Sequence, residues 1–89
     1  MEQRLTVDRL RLLIAVGSVR GATAEANGRR WSVLCETAAG PGRLETDRGQ
    51  LRQFRTLDTV ARLLRDLGIA RWKVDVTHLD QGQRTLVSP

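Results

Sequence analysis

The stretch SVRGATAEANGRRWSVLCET, residues 18–37, decides how the chain folds. At its centre Asn27-Gly28 is the strongest short-range hairpin signal, because a type I′ turn needs positive φ at both central residues. A two-residue turn there sets Ala24 opposite Trp31 and Ala22 opposite Val33 on one side of the ribbon. Glu25 then faces Arg30, and Thr23 faces Ser32, on the other side. An apolar side and a polar side are the mark of a sheet with one buried face. Small alanines against an indole predict that Trp31 lies across them beneath a helix.

Two helices are available to form that roof. Thr6 is placed to cap the first, with Leu5 and Leu10 as a hydrophobic staple. Val7, Leu10, Leu13, Ile14 and either Leu12 or Val16 recur at helical spacing, and Gly17 supplies a stop, which predicts a helix over 6–16. Thr56 caps a second helix, Leu57 to Leu67, with Leu57, Val60, Ala61, Leu64 and Leu67 as its buried stripe. Arg62 and Asp66 form an i,i+4 pair on its outer face, and Gly68-Ile69 gives a Schellman stop.

Between the helices AAGPG (38–42) reads as a loop, followed by a third strand at about 43–47. Arg48-Gly49 makes a turn into a fourth strand at 50–55, in a register that sets Glu45 against Arg52. Leu51 and Phe54 have opposite parity there and cannot both face inward without a bulge. RWKVDV (71–76) alternates, with Trp72, Val74 and Val76 inward. The expected class is α+β: an N-terminal helix, an antiparallel β-meander of three to four strands, a second helix and a final strand, with the helices on one sheet face. Residues 1–77 are expected to form a single domain, and 78–89 a polar, flexible tail.

Eighty-nine residues support one core, and Trp31, Trp72 and Phe54 are its only aromatics, so that core is aliphatic. A homodimer would bury more apolar surface than so small a chain buries alone. The formal charge is +5, and Lys73 is the one lysine among fifteen basic residues. GC-rich coding accounts for the preference for Arg but not for the positive sign. Arg presents a planar fork that suits phosphate and guanine, so a polyanion is the partner to test. The segment MEQRLTVDRLRLLIAVG lacks a secretory pattern, and its run LLIAV is too short to span a bilayer. A soluble, cytoplasmic, bacterial protein with no membrane partner is expected.

Chemistry is not specified. His78 and Cys35 are single residues of their kinds and cannot complete a zinc site. Cys35 falls on the inward face, where a thiol acts as a small hydrophobe, and no base is placed to activate it. GPG at 40–42 lacks the Lys and Ser/Thr of a phosphate loop. The carboxylates are interleaved with arginines in the manner of a solvated surface. The chain is expected not to be an enzyme, and no cofactor is implied.

If the helices cover one sheet face, the other is free to meet nucleic acid as β-ribbon readers do. Arg30, and Arg55 with Gln53, are the candidates to project from it toward base edges. Arg20, Arg29, Arg43 and Arg48 lie near turns or strand ends, suited to phosphate. Glu25 and Glu36 share the face and dilute its potential. The alternative is a protein–protein interaction module without nucleic-acid contact, docking through Leu34 and Leu51 or along the edge of the last strand.

Two resemblances bear on this choice. QLRQFRTLDTVARLLRDLG (50–68) resembles the strand-then-helix end of the arm-binding domains of tyrosine-type integrases, which read DNA with a three-stranded sheet. The likeness covers about residues 29–68, and this chain adds a helix before and a strand after. A broader likeness joins LTVDRLRLLIAVGSVRGATAE, NGRRWSV and RGQLRQFRTLDTVARLLRDLGIARWKVD. Together these resemble the small ParC-type partition-associated proteins of plasmids and integrative elements. That resemblance implies an accessory of a plasmid partition cassette, working beside a partition ATPase and its DNA-binding partner. It transfers no set of functional residues.

Overall fold

Each helix begins at a threonine and ends at a glycine. The structure, a computed structural model, describes residues 2–80. Its elements are β1 (Gln3–Leu5), α1 (Val7–Ala15), β2 (Val19–Asn27), β3 (Arg30–Thr37), β4 (Gly40–Leu44), α2 (Leu57–Asp66) and β5 (Lys73–Asp75). Thr6 Oγ1 accepts the Arg9 amide and Thr56 Oγ1 the Thr59 amide, each at 3.2 Å. Both C-termini close as Schellman motifs: Ser18 N–H reaches Leu13 O and Ile69 N–H reaches Leu64 O, both at 2.8 Å. Gly17 and Gly68 supply the positive φ these closures need.

The α+β class expected from the sequence is the one observed. The sheet has five strands in the order β1-β4-β3-β2-β5. β2, β3 and β4 form the expected antiparallel meander, while β1 joins β4, and β5 joins β2, in parallel. Among the described residues β3 alone therefore runs against the other four strands. Both helices pack on one face, where Leu10, Val60, Leu64 and Leu67 meet Leu5, Ala22, Ala24, Val33, Cys35, Leu44 and Phe54 in one core. Each fully buried Leu or Val there contributes about 1.5–3 kcal/mol of transfer free energy.

Several expectations need correction. The hairpin corner lies at Gly28-Arg29, so Asn27 pairs with Arg30, Ala26 with Trp31 and Ala24 with Val33. Gly28 has φ 66 and among the described residues no non-glycine has positive φ, so Asn27 does not enter the type I′ geometry. Positive φ at the first central position alone is the type II′ pattern. The slip is by two residues, so every side chain keeps its expected face while its partner changes. Glu25 stands opposite Ser32 rather than Arg30.

β1 was not anticipated; three residues carry too little alternation to read. Gly42 makes its approach possible, because a Cβ there would lie 2.8 Å from Gln3 O and 2.9 Å from Leu5 Cδ1. The AAGPG loop shrinks to Ala38-Ala39, and β4 begins at Gly40, earlier than the expected third strand. Pro41 is tolerated because β1 starts only opposite Gly42. The expected fourth strand is reduced to two isolated bridges, Glu45 with Leu51 and Trp31 with Phe54. The parity conflict is resolved by burying Phe54 and leaving Leu51 exposed.

On α1, Leu12 and Val16 both point to solvent, 66% and 75% exposed, so neither belongs to the stripe. Arg62 and Asp66 do not close an ion pair. Val74, paired with the core residue Ala24, and Val76, just past β5, remain 46% and 51% exposed at the edge of the sheet. At the start of the expected tail, His78 O accepts Gly28 N–H and Asp80 N–H reaches Gly28 O, both at 2.9 Å. Residues 81–89 of that tail lie outside the described residues. Among the described residues no helix is long and apolar enough to cross a membrane.

Candidate nucleic-acid interface

The sheet face opposite the helices is built from the residues that alternate with the core. Register places Arg4 on β1, Arg43 on β4, Arg30, Ser32, Leu34 and Glu36 on β3, Thr23 and Glu25 on β2, and Lys73 and Asp75 on β5. Glu2 and Glu45 join them through ion pairs with Arg43 and Arg4. Carboxylates thus balance the cations of this face in number, and Arg4 and Arg43 are held in ion pairs. The +5 charge is carried elsewhere.

Arg43 shows how the matching works. Its Nε donates to Glu25 Oε1 at 2.8 Å, its Nη2 to Glu25 Oε2 at 3.2 Å, and its Nη1 to Glu2 Oε2. The Glu25 carboxylate, with Glu2 adding to it against the cost of partial burial, holds the guanidinium pKa above its ordinary value. A phosphate at this point would have to displace two carboxylates. Arg4 Nε is likewise held by Glu45 Oε1 at 2.9 Å.

One corner gathers arginines of which most have no carboxylate partner. Trp31 and Phe54 exchange both backbone hydrogen bonds at 2.8 Å, so Arg30 and Arg55 flank one antiparallel bridge and Ser32 and Gln53 flank it on the other side. Arg52 lies over the Phe54 ring, 5.5 Å from its centroid. Arg48 is exposed in the adjoining turn, where Gly49 N–H reaches Thr46 O and Thr46 N–H reaches Gln50 O. Among the described residues Arg30, Arg48 and Arg55 have no carboxylate partner. Arg29, at the hairpin tip beside them, donates Nε to Asp80 Oδ2 at 2.8 Å.

The seven residues expected to meet nucleic acid are therefore divided. Arg29, Arg30, Gln53 and Arg55 come together at the corner, with Arg48 in the nearby turn. Arg43 is drawn into the sheet's ion pairs. Arg20 lies at the far end of β2, in a cleft of about 520 Å³ lined by Arg71, Trp72, Lys73 and Glu36 among others. Arg52, Arg71 and Lys73 were missed as members of these groups. Arg52 had a local signal, its spacing from Phe54; the other two meet Arg20 only because β5 pairs with β2 in parallel.

Among the described residues, neither the cysteine nor a cluster of metal ligands accompanies the cations. Cys35 is fully buried, and desolvation, with Glu36 adding to it, pushes its thiol up to about 11. Among the described residues no three His, Cys, Asp or Glu side chains are placed to hold a metal ion. No protein-family model, curated protein or solved structure matches the chain.

Proposed function

We propose that this chain is a non-enzymatic accessory of DNA maintenance, of the plasmid-partition kind, that holds duplex DNA by its phosphates at the corner formed by the hairpin tip and residues 48–55. The observation that carries it is the contrast between partnered and partnerless arginines. Arg4 and Arg43 would lose a carboxylate on meeting phosphate, whereas Arg30, Arg48 and Arg55 would lose none. An Arg already paired gains little from a second anion, because the first must be displaced and resolvated. Contact through phosphates positions a protein on DNA without reading its sequence. The resemblance to partition-associated proteins supports the cellular setting, and partition proteins are then natural neighbours.

Fluorescence anisotropy with a labelled duplex at about 50 mM salt tests this, since each phosphate contact adds about −0.9 to the log–log salt slope. The double variant Arg30→Ala/Arg55→Ala is expected to flatten the slope by about 2, while Arg43→Ala leaves it unchanged. A folded wild type that binds no duplex under these conditions refutes the proposal, as does a double variant that binds like wild type.

A second reading, a protein-interaction module, is favoured by one observation: the open face is matched in charge around the half-buried Leu34. Such a face suits a protein surface better than a polyanion. A pull-down with partition proteins that survives the Arg30→Ala/Arg55→Ala change would favour it.

A further inference from the structure

β5 ends the sheet, and among the described residues no strand pairs with its outer edge. An unpaired edge is a template for another strand, and proteins normally guard it with charge, often a lysine. Lys73 is that charge, but Asp75 stands two residues further on, on the same side of the strand. Reading outward from Val74, the sequence RWKVDVT is self-complementary. A two-fold axis through Val74 sets Lys73 against Asp75 of the second copy and Asp75 against its Lys73. On the roofed side the same axis sets Trp72 against Val76 and Val74 against itself.

We propose that β5 pairs antiparallel with β5 of a second copy of this chain, joining the two sheets into one across an isologous interface centred on Val74. Three features support that occupant. The charges are complementary only to an antiparallel copy; a parallel one would set Lys73 against Lys73 and Asp75 against Asp75. Directly opposed like charges are destabilising and opposed unlike ones stabilising. Val74 and Val76, about half exposed at the edge of the sheet, would be buried by this pairing together with the exposed part of Trp72.

The third feature is the set of Asp75. Its Oδ1 accepts the Thr77 hydroxyl at 2.6 Å and the Thr77 amide at 2.9 Å, which leaves Oδ2 for a lysine. The same two bonds, hydroxyl first, hold the carboxyl below its usual pKa, so it is ionised at neutral pH. A two-fold dimer pairs one patch with itself, and such dimers are the commonest closed homo-oligomers. The proposal concerns chain-to-chain contact in the absence of DNA and stands apart from the phosphate-binding corner.

Light scattering on the full chain, over a concentration series without DNA, is expected to show a monomer–dimer equilibrium. Lys73→Glu alone and Asp75→Lys alone each set like charges across the axis and should be monomeric at concentrations where wild type is dimeric. An equimolar mixture of these two variants restores both unlike pairs and should recover the dimer. Circular dichroism confirms that each variant is folded, and both side chains are exposed, so folding should survive. Wild type that stays monomeric throughout overturns the proposal. So do single variants that dimerise like wild type, or a mixture that fails to associate.

Discussion

Trp31 and Phe54 exchange both of their backbone hydrogen bonds, N–H to O at 2.8 Å in each direction. β4 has ended at Leu44 by that level of the sheet, so this single bridge pairs the start of β3 on the edge that β2 does not cover. It also anchors the segment that leads into α2, and it holds Arg30 and Arg55 at one corner. Fold and candidate interface thus depend on the same contact.

Phe54→Ala should therefore act on both. Loss of a buried ring is expected to cost about 3–5 kcal/mol of unfolding free energy, measured by urea titration. At temperatures where the variant stays folded, its salt slope for DNA should fall, because Arg52 loses its ring and Arg55 its anchor. An unchanged urea midpoint would contradict the assigned core position of this ring.

The hairpin corner makes a second test. Gly28→Ala places a Cβ at φ 66 and is expected to cost about 1–2 kcal/mol. Asn27→Ala should change stability by less than about 0.5 kcal/mol, because Asn27 is an exposed strand residue in this register. The opposite order of effects would restore Asn27-Gly28 as the central pair of the turn.

Gly42→Ala tests the parallel edge. The added methyl meets the Gln3 backbone and the Leu5 side chain below 3.0 Å, and backbone cannot yield cheaply. A loss of about 1–3 kcal/mol is expected from this overpacking. Hydrogen exchange should show lost protection in β1 and the facing part of β4, with β2 and β3 little affected.

Alkaline stability reports on Cys35. Burial pushes its thiol up to about 11 when folded, from an ordinary value of 9.0. The unfolded chain therefore releases this proton first. Stability should be flat below about pH 9, fall between about 9 and 11, and level off above, by an amount on the order of 2–3 kcal/mol. With no tyrosine and one lysine, few other groups titrate in this window. Cys35→Ala should flatten the decline, and alkylation of wild type should be slow until the chain unfolds.

Much of the local structure was legible before any tertiary contact was known. Thr6 and Thr56 act as caps, Gly17 and Gly68 as stops, and Ala22, Ala24, Trp31 and Val33 share the core-facing side of the hairpin. The candidate interface was legible in part. Arg30, Gln53 and Arg55 were expected on one sheet face, but only the Trp31–Phe54 bridge brings them together, and nothing local said that Arg43 would be claimed by Glu25, eighteen positions away.

By itself, then, the amino-acid order determined the two helices, the ribbon between them and the face each side chain of that ribbon takes, because caps, stops and alternation act over a handful of neighbouring residues. The tertiary structure alone decided the two parallel edges, the hairpin register and which arginines stay free. Those outcomes join segments far apart in the chain, through three-residue strands that carry no pattern of their own and carboxylates that reach their partners only across a finished sheet.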